Sequence, residues 1–235
     1  MLDRYHEKTA NAETTEAFQD LGFKRDAHIR RPGGADVPMR DLPAFLRVLL
    51  VTDGTVTKIL EAYFWEPVEV ATLHQEFVHA EHPIPRLGLV PGDRVLVRRA
   101  HLGGVDSGRT YATAFSIIRT SLIPETFRQR LIDRQVGIGV LIRDSGMESY
   151  REVLEVGIKP EGTCDDPAVS EDVAKSGDGL LRYPLSGQGE LAFRTYRVIV
   201  DGEPVILITE RFPLNLYTDD RFEGPVQDSS GSEHE

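Results

Sequence analysis

The region that we predict to be ordered begins near Asp41, and its first elements are helices. The tripeptide DLP at 41–43 is typical of a helix start, because proline is tolerated in the first turn. Apolar side chains then follow at helical spacing from Phe45 to Leu50. The tripeptide DGT at 53–55 ends this helix, and Thr55 can cap a second one that runs to Tyr63. The pattern therefore predicts a compact pair of helices ahead of the rest of the fold.

From residue 67 onward the pattern is typical of strands, with β-branched and aromatic residues between turn signals. Predicted strands cover 68–78, 93–102, 109–118, 191–200 and 204–213, and a helix is predicted over 124–134. The segment 103–108 and the dipeptide Asp201-Gly202 are hairpin turns by composition. This order describes an α+β fold. We expect an antiparallel sheet with helices covering one face, and a pocket between that face and the covering segments.

The segments outside these elements are polar. Residues 1–40 form an N-terminal extension that we expect to pack on the domain or to be partly disordered, with a short amphipathic helix over 13–21. The domain covers 41–217 and contains a long loop at 159–190 that is rich in Gly, Asp, Ser and Pro. Residues 218–235 are acidic and poor in apolar residues, which is typical of a disordered tail.

Glu210 closes the run PVILITE at 204–210, which is typical of a buried strand until its last residue. A carboxylate at this position is either solvated at the end of the strand or paired inside the protein. Burial without a partner would cost on the order of several kcal/mol. The central question that the sequence raises is therefore which group, if any, pairs with the Glu210 carboxylate.

The composition is that of an ordinary globular protein, with 235 residues of which 40% are hydrophobic and 28% charged. The formal net charge of -11 disfavours non-specific binding to nucleic acid or anionic lipid. Cys164 is the single cysteine, which excludes an internal disulfide and a cysteine-based zinc cage and fits a reducing compartment. No apolar run approaches the ~20 residues of a membrane span, and the N-terminus lacks the pattern of a signal peptide. We predict a cytoplasmic protein.

Several segments carry a resemblance to a known family. They are LLVTDGTVTKIL at 49–60, VLVR at 95–98, GIG at 137–139, GEP at 202–204 and TERF at 209–212. In this order and spacing they resemble the chorismate pyruvate-lyase family, and most of all its actinobacterial and archaeal branch. The resemblance covers about residues 45–215.

The resemblance implies a chorismate lyase-like fold, with a sheet of about six antiparallel strands and helix-turn segments that enclose the ligand. It implies a carbon–oxygen lyase that converts chorismate to 4-hydroxybenzoate and pyruvate. Arg98 matches an arginine that binds the product carboxylate, and Glu210 matches a glutamate that contacts the ring hydroxyl; both are the expected catalytic residues. Val56 and Ile138 match positions that contribute backbone amides, and Thr55 is placed at the ligand beside them.

The residue types suit this chemistry. Arginine offers a charged, planar clamp for a carboxylate, and glutamate can accept a hydrogen bond from a hydroxyl or take part in proton transfer. Aromatisation drives the reaction, so we expect neither a metal nor another cofactor. Strand alternation places Arg98 on one face of the sheet and Arg99 on the other. For the second carboxylate of chorismate, the candidates are Arg119 and Lys58.

Other functions stay open. The histidines at 74, 79 and 82 match no zinc motif. The N-terminal extension, the long loop and Arg99 depart from the family pattern, so an enzyme acting on another cyclic or aromatic acid in secondary metabolism is one alternative. A non-catalytic small-molecule-binding module is another, although residues 1–40 are too short for a DNA-binding winged helix. The expected partner is a small molecule, with no nucleic acid and no membrane, and the protein is expected to be a monomer or a homodimer.

Overall fold

The computed structural model describes residues 28–29, 31, 34–133, 137–161 and 189–217. The helices are α1 (Ala44–Val51), α2 (Val56–Phe64), α3 (Glu125–Ile132) and α4 (Ile138–Ser145). The strands are β1 (His28–Ile29), β2 (Val37–Pro38), β3 (Val68–His79), β4 (Arg94–Gly104), β5 (Thr110–Ile118), β6 (Ser149–Pro160), β7 (Glu190–Val200) and β8 (Glu203–Pro213). None of the helices in these ranges is long and apolar enough to cross a membrane.

Six of the described strands form one antiparallel sheet in the order β3-β4-β5-β8-β7-β6. β8 lies between β5 and β7, so the last strand of the chain is near the centre of the sheet. One row of paired residues runs through Arg98, Ser116, Ile208 and Tyr196. The next row runs through Ala100, Ala114, Glu210 and Arg194. The predicted α+β fold with a six-stranded antiparallel sheet is confirmed.

The described helices α1 to α4 cover the same face of the sheet. α1 and α2 pack over one end, where Leu60 shares an apolar cluster with Leu102. α3 and α4 pack over the other end, where Leu131 shares a second cluster with Leu96. Because Leu96, Arg98 and Leu102 alternate along β4, both clusters lie on the face that carries Arg98. The middle of this face, between the two helix pairs, is left for a pocket.

The opposite face of the sheet packs against the segment between β3 and β4. Ile84 and Leu87 of this segment form a third apolar cluster with Val97 and Ile117, and all four side chains are 0% exposed. Full burial of such a side chain contributes about 1.5–3 kcal/mol to stability. Within the described residues, helices therefore cover one face of the sheet, as predicted.

Two elements differ from the prediction that the pattern of residues gave. β6 was not predicted as a strand, because SYREVLEVGIKP places charged residues on both faces. Among the described strands, β6 lies at the edge of the sheet and pairs with a neighbouring strand on one side only. Edge strands commonly carry charged side chains, which explains this composition. α4 was not predicted either, because it has eight residues and its first residue, Ile138, lies between two glycines, which is typical of a turn.

The described part of the predicted N-terminal extension packs on the domain. β1 and β2 pair antiparallel, and Ile29 and Met39 are fully buried in the same cluster as α1 and α2. Arg31 donates a hydrogen bond from Nη2 to Glu190 at 3.0 Å. The predicted 13–21 helix, most of the 159–190 loop and the 218–235 tail lie outside the described residues. The domain boundaries therefore stay a prediction.

Candidate functional site

A pocket lies in the middle of the helical face, between the two apolar clusters. The strands of the sheet form its floor, and the turn between α1 and α2 and the start of α4 form its wall. Most of the lining consists of small or aliphatic side chains, such as Ala100, Ala114 and Ile208. A pocket of this kind suits the apolar part of a small ligand, whereas a few charged groups would fix its orientation.

The residues expected from the family resemblance all line this pocket. They are Arg98, Glu210, Thr55, Val56 and Ile138. Thr55 directly precedes α2, and Val56 and Ile138 are the first residues of α2 and α4. The first amides of a helix have no partner within it and form the positive end of its dipole. Two helices thus begin at the pocket, which favours an anionic or hydroxylated ligand.

The two helix starts also contact each other closely. A Cβ added to Gly139 would lie 3.1 Å from Cγ2 of Thr55, which is tighter than ordinary contact. A Cβ added to Gly137 would lie 3.1 Å from Cγ2 of Val70 on β3. Glycine at both positions therefore allows the start of α4 to approach the α1–α2 turn and the edge of the sheet.

Glu210 is paired inside the protein. Its side chain is 9% exposed, and Arg194 donates to its Oε2 from Nε at 2.8 Å. The hydroxyl of Tyr196 donates to its Oε1 at 3.1 Å. The Arg194 side chain is 0% exposed and also donates from Nη1 to the carbonyl oxygen of Thr52 at the end of α1. One buried guanidinium thus connects the carboxylate in β8 to the turn that forms the pocket wall.

The pKa values of Arg194 and Tyr196 are both shifted upward. Burial alone would lower the pKa of Arg194, but the Glu210 carboxylate and Tyr196 outweigh it, and the pKa of Arg194 lies above its usual value. Burial, followed by the Glu210 carboxylate, raises the pKa of Tyr196 well above its usual value. Arg194 therefore stays cationic and Tyr196 stays a donor. A carboxylate has about four acceptor positions, so Glu210 can accept a further hydrogen bond from a ligand.

Arg98 is oriented by a hydroxyl on the neighbouring strand. Its Nε and Nη2 atoms donate to Oγ1 of Thr72 in β3, at 3.1 and 2.7 Å. The residue is 2% exposed and lines the pocket. This contact fixes the plane of the guanidinium, which matters for binding a planar carboxylate through two hydrogen bonds.

Arg98 and Glu210 enter the pocket from different strands. β4 and β8 are separated by β5, and the two residues lie in adjacent rows of the same face, two residues apart along the strands. Strand spacing and rise give a separation of about 12 Å between their Cα atoms. Two long side chains over this distance leave room between their charged groups for one small ring.

Comparisons with known proteins identify the family. Residues 50–165 match the family model described as "Chorismate pyruvate-lyase Rv2949c-like". The chain is 30% identical over 181 residues to a chorismate pyruvate-lyase of Mycobacterium leprae, covering 77% of this chain and 80% of that protein. The chain belongs to the chorismate pyruvate-lyase family. A chorismate pyruvate-lyase of Mycobacterium tuberculosis is 29% identical over 195 residues, covering 81% of this chain and 90% of that protein.

Among solved structures, the chain is similar to the effector domain of PhnF from Mycobacterium smegmatis. The TM-score is 0.47 and the sequence identity 11%, with 68% of this chain and 88% of that domain covered. The family match and the relative from Mycobacterium leprae, and not this structural similarity, confirm the family resemblance stated from the sequence.

In this member of the chorismate pyruvate-lyase family, three residues of the site were not predicted from the sequence. Arg194 and Tyr196 bind Glu210, and Arg151 of β6 lines the pocket. Arg194 and Tyr196 alternate along a strand that was predicted, so their shared face could have been found. Their position beside Glu210 depends on the register of the β7–β8 hairpin, and Arg151 lies on the strand that the pattern missed.

The two residues suggested for a second carboxylate lie elsewhere. Arg119 is beside Glu203, at 3.6 Å from Nη1 to Oε2, and donates to the carbonyl oxygen of Pro204. Lys58 pairs with Glu61 on the outer side of α2, and its side chain is 64% exposed. Neither lines the pocket. The suggestion is therefore corrected: of the arginines and lysines in the described part of the chain, the pocket is lined by Arg98 and Arg151.

The described residues of this family member were compared with the requirements of a metal site. No group of three or more His, Cys, Asp and Glu residues in the described ranges is placed to bind a metal ion. His74, one of the three histidines noted in the sequence, lies 3.2 Å from Glu76 on the same strand. The pocket chemistry that can be derived from these residues is that of arginine, glutamate, tyrosine and backbone amides.

Proposed function

We propose that the protein is a carbon–oxygen lyase that eliminates pyruvate from chorismate and forms 4-hydroxybenzoate. The observation that supports the proposal is that Arg98 and Glu210 line the same pocket, from strands that are separated by β5. Membership of the chorismate pyruvate-lyase family supports the same reaction. In this proposal Arg98 and Glu210 are the catalytic residues.

The reaction balances without an oxidant, a reductant or water. The C–H bond at the ring carbon that carries the hydroxyl breaks, and the C–O bond of the enolpyruvyl ether at the neighbouring carbon breaks. The electron pair of the C–H bond becomes the third double bond of the ring. The ether oxygen leaves with its electron pair as enolpyruvate, which gains a proton on carbon and becomes pyruvate. Aromatisation provides the driving force, so the protein needs to bind the substrate and stabilise developing charge.

Each pocket residue has a role in this proposal. Arg98 binds the ring carboxylate through two hydrogen bonds and fixes the orientation of the ring. Glu210 accepts a hydrogen bond from the ring hydroxyl, which is attached to the carbon that loses its proton. The amides of Val56 and Ile138 donate to the substrate at the pocket wall, with Thr55 beside them. Arg194 and Tyr196 hold Glu210 in position through their hydrogen bonds to its carboxylate.

The proposal is tested by incubating the purified protein with chorismate. Pyruvate is measured with lactate dehydrogenase, and 4-hydroxybenzoate is measured by chromatography. We expect equimolar amounts of both products, at a rate proportional to protein concentration and above that of chorismate alone. A folded protein that forms neither product would overturn the proposal. If that protein still gains thermal stability with 4-hydroxybenzoate, the pocket is that of a binding module instead.

A further inference from the structure

Arg151 projects from the edge strand β6 onto the pocket face of the sheet. It pairs with Val198 in β7, and both residues line the pocket. Its Nη1 atom donates to the carbonyl oxygen of Asp53 at 2.6 Å, in the turn between α1 and α2. A guanidinium has five N–H donors in a fixed fork, so one bond to a carbonyl leaves donors for a ligand in the pocket.

The Arg151 guanidinium lies at the Glu210 end of the pocket. Burial and the Glu210 carboxylate raise the pKa of Tyr196, whereas the charges of Arg194 and Arg151 act in the opposite direction. The geometry agrees, because Arg151 donates to the carbonyl oxygen of Asp53 and Arg194, the partner of Glu210, donates to that of the adjacent Thr52. Arg98, in contrast, lies four strands away from β6, on β4. The two arginines that line the pocket are thus at different ends of it.

Chorismate carries its two carboxylates in a corresponding arrangement. One is attached directly to the ring, opposite the hydroxyl-bearing carbon. The other is on the enolpyruvyl group, which is joined by its ether oxygen to the carbon next to the hydroxyl. If Arg98 binds the ring carboxylate and Glu210 the hydroxyl, the enolpyruvyl carboxylate lies at the Glu210 end. A carboxylate that is taken from water into a pocket needs a cation or several donors there.

We propose that Arg151 binds the enolpyruvyl carboxylate and is the residue that selects a substrate with two carboxylates. The proposal rests on the proposed lyase function and assigns a residue to the second anionic group of its substrate. Among the described residues that line the pocket, the charged side chains are Arg98, Glu210 and Arg151. With Glu210 balanced by Arg194, the two arginines match the two negative charges of chorismate. When pyruvate leaves, 4-hydroxybenzoate keeps its contact with Arg98 and has none with Arg151.

The difference between substrate and product provides the test. Arg151→Gln is compared with wild type for the KM and kcat of chorismate turnover and for the Kd of 4-hydroxybenzoate, measured by calorimetry. We expect KM for chorismate to rise about tenfold to a hundredfold, as for a lost hydrogen bond between charged groups. The Kd of 4-hydroxybenzoate should change by less than about twofold, since the product lacks the second carboxylate. Arg151→Lys, which retains the charge, should give an intermediate KM.

Arg47→Gln is the matched control. Arg47 on α1 also donates from Nη1 to a backbone carbonyl, that of Arg40 at 2.6 Å, but it lies outside the pocket. It should leave both KM and Kd unchanged. A purely structural role of Arg151, through Asp53, would weaken substrate and product equally, and that result would overturn the inference, as would an unchanged KM. If the wild-type protein forms no pyruvate, the proposed function itself is overturned, and the inference with it.

Discussion

The two ends of the pocket are built from different interactions. At one end Glu210 forms an ion pair with Arg194, which is fully buried, and accepts a second hydrogen bond from Tyr196. At the other end Arg98 donates to Thr72, a neutral hydroxyl. The Glu210 end therefore has its charge balanced by the fold itself and connects the sheet to α1. Glu210 therefore contributes to the stability of the fold as well as to the lining of the pocket.

The largest effect is expected from Glu210→Gln, measured as the free energy of unfolding in urea. The substitution keeps the shape of the side chain but leaves the Arg194 charge buried without its counter-charge. Removing one partner of a buried ion pair costs about 3–5 kcal/mol. Glu203→Gln is the control on the same strand, because Glu203 is 63% exposed beside Arg119 and its loss should cost less than about 0.5 kcal/mol.

A double-mutant cycle measures the coupling between Glu210 and Arg194 directly. Arg194→Met alone should also destabilise the protein, since it leaves the Glu210 carboxylate without its cation. The double variant with Glu210→Gln should lose clearly less than the sum of the two single variants, because no buried charge then remains. Additive losses, or a loss from Glu210→Gln no larger than that from Glu203→Gln, would contradict the contrast between the two ends.

The Glu210 end also shows the limit of prediction from sequence. A regular hairpin continued from the Val200–Glu203 pair at the turn would place Phe193 opposite Glu210. The register shifts by one residue between Val198 and Ile199, and this bulge brings Arg194 opposite Glu210 instead. A shift of one residue moves every side chain to the other face of the sheet. The boundaries of β7 and β8 could thus be predicted from composition, whereas the partner of Glu210 could not.

The rest of the site was predictable to different degrees. Alternation along β4 correctly separates Arg98 from Arg99 once the strand is assigned. The positions of Val56 and Ile138 at helix starts came from the family resemblance, since side-chain patterns carry no information about backbone amides. Arg151 was missed because it lies on an edge strand of mixed polarity. Long-range pairing of the sheet brings it to the pocket, and no local pattern encodes that pairing.

A smaller effect is expected from Arg98→Met, measured as the Kd of 4-hydroxybenzoate. Loss of a charge-assisted interaction with the ring carboxylate should weaken binding by about 1.5–3 kcal/mol, which is roughly tenfold to 150-fold. Stability should fall by less than in Glu210→Gln. Arg94→Met is the control, since Arg94 is exposed on the same strand, 3.9 Å above the ring of Phe77. Equal losses of affinity in both variants would show that the carboxylate does not bind at Arg98.

The smallest effect is expected from Thr72→Val, which removes the hydroxyl that orients Arg98 while keeping the side-chain shape. Binding of 4-hydroxybenzoate should weaken by about 0.5–1.5 kcal/mol, or roughly twofold to tenfold, because the guanidinium loses one fixed acceptor. Thr195→Val is the matched control: it removes a buried hydroxyl that bonds to Thr209 at 2.9 Å on the other face, and it should leave binding unchanged. In the Arg98→Met background, Thr72→Val should have no further effect on Kd, since it acts through Arg98. If Thr72→Val weakens binding equally in the wild-type and the Arg98→Met backgrounds, then the Thr72 hydroxyl does not act by orienting Arg98.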